Sequence, residues 1–135
     1  MTARPAVIVN GLADAVTALR AARGMPVTLL SAPGAALFAG CLWWREVVRQ
    51  AREIVPEADA TDVLDCADAS GLALSALRTG QQAIVLYEHS PGYAAVVAIA
   101  RGCGARVLPA APAALDLAGR GAARRLEEWL RGASG

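Results

Sequence analysis

The sequence predicts an α/β domain, a three-layer sandwich in which a five-stranded, mostly parallel sheet carries helices on both faces. Three observations point there. Short β-branched runs alternate five times with Ala-rich stretches of helical period. Runs such as "AIVLY" are apolar throughout, as strands covered on both faces must be. Glycines at 24, 80, 102 and 104 fall where the helical pattern stops.

In chain order, the strands are expected at Ala6–Asn10, Val27–Ser31, Thr61–Asp65, Ala83–Glu88 and Arg106–Leu108. Helical periodicity places helices at 12–23, 35–55, 70–79, 92–101 and 119–131. The segment "LPAAPAALDLAG" (108–119) reads as a Pro/Ala-rich connection. Right-handed crossovers make this a flavodoxin-like or Rossmann-like arrangement, with strand order 2-1-3-4-5 or 3-2-1-4-5 both compatible. At 135 residues, one domain over 1–135 is expected.

Composition narrows the function. The 13 basic residues are all arginine and face 12 acidic ones, a net charge of +1 that offers no field for nucleic acid. Without lysine there is no Schiff base and no P-loop lysine. Cys41, Cys66 and Cys103 are an odd, widely spaced set, unsuited to a disulfide framework or a zinc knuckle, and a reducing, cytoplasmic location is expected. Residues 24–44 are uncharged over a length that matches a bilayer span, but Pro33-Gly34 would leave backbone groups unpaired in lipid, so no membrane span is expected. The start "MTARPAVIVNG" has too short an apolar run for a secretory signal. An apolar fraction of 56%, above the usual ~45–50%, implies a large core or a surface shared with a partner.

In a parallel sheet all strands end on the same side, where ligands of such folds bind. The expected ligand-binding residues are therefore Asn10, Gly11, Ser31, Gly34, Asp65, Ser70, Ser90 and Gly92. Two loops share a Ser, Pro, Gly pattern leading into a helix, with Ser90 as N-cap and Pro91 at the first helical position. Free N–H groups there suit a phosphate or a carboxylate. His89, the single histidine, lies on the same edge, and a constellation of Cys66 as nucleophile, His89 as base and Asp68 or Asp65 as orienting carboxylate is the enzymatic alternative. The spacing of these side chains matches no standard metal set, and no cofactor is indicated.

Length and alternation are similar to those of phospho-receiver domains, with Asp65 ending the third strand where those proteins carry a phosphoacceptor. Asn10-Gly11 stands where they have an acidic pair, and the lysine after strand five is missing, so receiver chemistry is not expected. Gly102-Cys103-Gly104 and Gly119-Arg120-Gly121 resemble dinucleotide fingerprints only in composition, since neither links a strand to a helix.

The stretch "GCLWWREVVRQ" (40–50) sets Trp43 beside Trp44, about 100° apart on a helix. One stripe of a 35–55 helix holds Leu37, Cys41, Trp44, Val48, Ala51 and Val55, widened by Gly40, Val47 and Ile54. Phe38, Leu42 and Trp43 make an apolar shoulder outside it. The C-terminal helix, through Leu126, Trp129 and Leu130, a second copy of the chain, or else a different partner or lipid is expected to cover that shoulder. Together these features lead to a small α/β protein that binds a small anionic ligand at the strand edge and acts as a homodimer. The alternatives are a hydrolase or transferase using Cys66 and His89, and a non-catalytic interaction or scaffold module.

Overall fold

A computed structural model describes residues 4–132; the remaining residues of the 1–135 span lie outside the described part. The chain is an α/β fold, a parallel sheet flanked by helices. Its elements are β1 Ala6–Val9, α1 Leu12–Ala22, β2 Val27–Ser31, α2 Ala35–Phe38, α3 Cys41–Ile54, β3 Ala60–Asp65, α4 Ser70–Arg78, β4 Ala83–Val85, α5 Tyr93–Gly102, β5 Arg106–Leu108, β6 Ala114–Asp116 and α6 Ala122–Leu130. Among the described residues the strands number six, in the order β5-β4-β3-β2-β1-β6. This is neither of the two orders considered from sequence, because β1 to β5 are laid down as successive neighbours and β6 joins the free side of β1.

The extra strand lies inside the segment read as a connection. Its "ALD" has weak β propensity, yet it pairs in parallel with β1, Val7 opposite Leu115, and Leu115 is buried. Pro112, two residues before it, is tolerated because the strand is at an edge.

The chain divides into two compact units, Met1–Leu30 with Val47–Asp62 and Pro112–Gly135, and Ser31–Glu46 with Val63–Ala111. In the first, α6 packs on α1 and on β6. Leu126 and Leu130 are buried, and Trp129 Nε1 donates to Ala6 O at 2.8 Å. In the second, β3, β4 and β5 pair in parallel, with Leu64 opposite Ile84 and Ile84 opposite Val107. There α4 packs against α5 and α5 against β5. Most of the strand residues are buried, as the apolar runs required.

The helix expected over 35–55 is two helices. Gly40 adopts φ 90°, a left-handed conformation that breaks the helical ladder after one turn and restarts it at Cys41. The wheel drawn through both halves therefore fails at its first member: Leu37 is 55% exposed instead of buried. Past the break the stripe holds, with Trp44, Val47, Val48, Ala51 and Val55 buried, although Ile54 is exposed. Trp43 is half-buried with its ring centroid 6.1 Å from that of Trp44. Among the described residues no helix is long and apolar enough to cross a membrane.

Candidate functional site

Three loops of the second unit leave the C-terminal ends of β2, β3 and β4, and hydrogen bonds knit them together. Asp65 is the knot. It is 1% exposed, and its Oδ1 accepts the N–H of Gly34 at 3.1 Å and the N–H of Ala67 at 2.9 Å. Its own N–H donates to Ser31 Oγ at 2.9 Å, and that hydroxyl donates to Ala32 O. One aspartate thus fixes its own loop and the β2 loop. The β4 loop is tied in by Tyr87 N–H, which donates to Ala67 O at 2.8 Å, and by Ser70 Oγ, which donates to Pro91 O. The strand β4 ends at Val85 instead of at Glu88.

Ala67 is held at φ 51° between those bonds. A non-glycine residue there costs of order 1–2 kcal/mol, and such strain persists only where its surroundings over-determine it. Neither Ala67 nor Tyr87 is singled out by sequence, since an alanine gives no sign of a left-handed conformation.

The two Pro-Gly loops turn in the same way. Ala35 N–H donates to Ala32 O and Tyr93 N–H to Ser90 O, with Pro33 or Pro91 at the second position and Gly34 (φ 69°) or Gly92 (φ 73°) at the third. Proline followed by a glycine at positive φ is the signature of a type II turn. Ser90 is therefore not the N-cap of α5. Gly92 holds that place without a side-chain bond, and Pro91 lies in the turn before the helix. Ser90 Oγ is instead buried without a hydrogen-bond partner.

The other expected site residues separate from this cluster. Asn10 and Gly11 belong to the first unit. There Asn10 Nδ2 donates to Asp116 Oδ1 and to Asp14 Oδ2, both at 3.3 Å, so its amide joins the end of β1 to β6 and to α1. Gly11 is extended, and a Cβ there would meet nothing within 4 Å. Asp68 is exposed on the β3 loop. His89 is exposed on the β4 loop, its ring centroid 5.8 Å from that of Tyr87.

Cys66 faces the interior. It is 0% exposed, and its thiol donates to Leu64 O at 3.9 Å. Burial, then the Asp65 charge and Cys41, push its pKa up from 9.0 to about 12. A thiol held so supplies almost no thiolate at neutral pH. The described residues contain no group of three or more His, Cys, Asp or Glu able to hold a metal ion.

The apolar shoulder is open. Phe38 is 71% and Leu42 70% exposed, and Trp43 is half-buried. No known family model matches the chain, and no curated protein matches it.

Proposed function

We propose that the chain is a non-catalytic binding protein: it takes a small anionic ligand at the loop edge of its second unit and self-associates through Phe38, Leu42 and Trp43. The observation that carries the ligand reading is the strained, fully clamped Ala67 between Asp65 and Tyr87, a rigid edge of the kind that binding sites are built on. Preference for an anion rests on the helix that follows. The first turn of α5 has no acidic residue, and its Ala94 and Ala95 N–H groups lie where no intrahelical acceptor exists. Ser90 adds a hydroxyl without a partner next to that turn. Ligand-holding residues are Ser31, Gly34, Asp65, Ser70, Ser90 and Gly92, of which Ser31 and Asp65 act by fixing loop shape.

Self-association rests on three large apolar side chains, Leu37, Phe38 and Leu42, each more than half exposed within six residues. Calorimetric titration with inorganic phosphate, with acetate and with neutral glucose tests the first part. Saturable heat with an anion and none with glucose is expected; equal, non-saturating responses to all three overturn it. Sedimentation of wild type against Phe38→Glu tests the second part, and a wild-type monomer ends it.

A further inference from the structure

The second unit carries a groove on its β5 side. About 460 Å³ in volume, it runs between the C-terminal half of α5 and β5, floored by Val97, Ala100, Val107 and Leu108 and flanked by Arg101 and Arg106. That is within the range of ~300–1,000 Å³ of ligand sites. The groove follows a free sheet edge, since β5 is the outermost strand on its side. Arg106 N–H donates to Gln82 O and Leu108 O accepts from Leu86 N–H, so residues 106 and 108 turn their backbone toward β4. By the alternation of a parallel ladder, the N–H and C=O of Val107 point outward. Neither guanidinium has an acidic partner among the described residues, and no carboxylate lines the groove.

We propose that this edge binds an extended acidic peptide segment, which adds to β5 as a seventh strand. Val107 supplies the paired backbone bonds, the apolar floor takes the strand's apolar side chains, and Arg101 and Arg106 take its carboxylates. A strand is favoured over a small molecule because it satisfies an outward N–H and C=O on one residue simultaneously, and apolar contact with charge-paired side chains gives the addition its selectivity. Acidic residues are favoured because guanidinium groups pair with carboxylates in a fixed fork and basic peptides meet two uncompensated like charges. Pro109, which has no N–H, limits the added strand to the span of β5 itself.

The test uses the full chain and three fluorescein-labelled hexapeptides: alternating Val and Glu, alternating Val and Lys, and the Val/Glu peptide with N-methylated backbone amides. Fluorescence anisotropy is expected to show saturable binding of the Val/Glu peptide, at least tenfold tighter than either other peptide. Arg101→Glu/Arg106→Glu, both on exposed positions, should lose that binding at least tenfold while its circular dichroism stays that of wild type. The Val107 amide should move in a nitrogen–proton correlation spectrum as the Val/Glu peptide is added. Equal binding of the acidic and basic peptides, an N-methylated peptide that binds as well as its parent, or a double variant that keeps full affinity would each overturn the proposal. If the double variant fails to fold, the N-methyl comparison and the Val107 shift on wild type decide alone.

Discussion

Replacing Asp65 should show how much of the loop edge depends on one oxygen. In Asp65→Ala, the N–H groups of Gly34 and Ala67 lose their shared acceptor, at 3.1 and 2.9 Å in the native protein. Hydrogen bonds to a charged group contribute roughly 1.5–3 kcal/mol each, which gives about 3–6 kcal/mol for two. Both N–H groups are only partly buried, so water recovers some of this, and they share one acceptor, so the losses are not additive. A cost of about 3 kcal/mol is expected. In Asp65→Asn the oxygen remains and the charge assistance goes, and about 1–2 kcal/mol is expected. Urea unfolding at neutral pH measures both, with equal slopes required before midpoints are compared. The ordering carries the reasoning: alanine must cost clearly more than asparagine. If both variants lie within 0.5 kcal/mol of one another, roughly the ordinary scatter of surface substitutions, Oδ1 is not what holds the two loops.

Ser90→Ala should raise stability by about 1–2 kcal/mol, because the hydroxyl is buried without a partner and its removal relieves a desolvation cost; thermal melting reads this as a higher midpoint, and a lower midpoint refutes it. Ala67→Gly should be neutral to about 1 kcal/mol stabilising, since relief at φ 51° is offset by the greater freedom of unfolded glycine; a loss above about 1 kcal/mol in urea unfolding would show that the backbone there is unstrained. For Cys66 the thiol pKa rises from 9.0 unfolded to about 12 folded, so the folded state retains a proton that the unfolded state releases. Its contribution is complete below pH 9 and is lost at about 1.4 kcal/mol per pH unit between those two values. Alkaline unfolding of wild type should be steeper than that of Cys66→Ala over that window, and parallel profiles count against the buried thiol.

Much of this architecture is written locally. Pro33-Gly34 and Pro91-Gly92 specify their turns because proline fixes one dihedral and glycine admits the positive φ that follows. The apolar runs of β2 and β4 specify burial, and the amphipathic half of α3 specifies its own inward face. The misreadings have two causes, a partner far along the chain for β6 and local backbone geometry for the others. β6 is three weak residues made into a strand by β1. Ser90 looks like a cap until Tyr93 bonds back to its carbonyl. Gly40 looks like a tolerated helix residue until its φ of 90° shows a break, and Leu37 then loses the stripe to which periodicity assigned it. At the site, Asp65 was visible as a strand-terminal carboxylate, but its use as a backbone acceptor was not. Side-chain type does not say whether an aspartate faces a ligand or two N–H groups of its own chain.

Charge pairing differs between the two units in a way that bears on partners. Only some charges of the first unit pair with one another: Arg4 with Asp59, Arg23 and Arg131 with Glu127, Arg49 with Glu53, and Arg52 with Asp62. Such exposed pairs add little stability, typically ~0.2–1 kcal/mol each. What they do is neutralise a surface against outside charges. In the second unit, Arg45, Arg78, Arg101 and Arg106 have no acidic partner among the described residues, and the same unit holds exposed Phe38 and Leu42 and the strained Ala67. Unpaired guanidinium groups beside apolar surface are what interfaces use, since arginine and aromatic side chains dominate binding hot spots. The two kinds of contact respond differently to salt. Peptide capture at Arg101 and Arg106 should weaken as ionic strength rises and the Debye length falls from ~10 Å at 0.1 M to ~3 Å at 1 M. Self-association through Phe38 and Leu42 should hold or strengthen, because apolar burial carries no charge to screen. A salt titration that weakens both in parallel would place charge, not apolar area, at the self-associating surface.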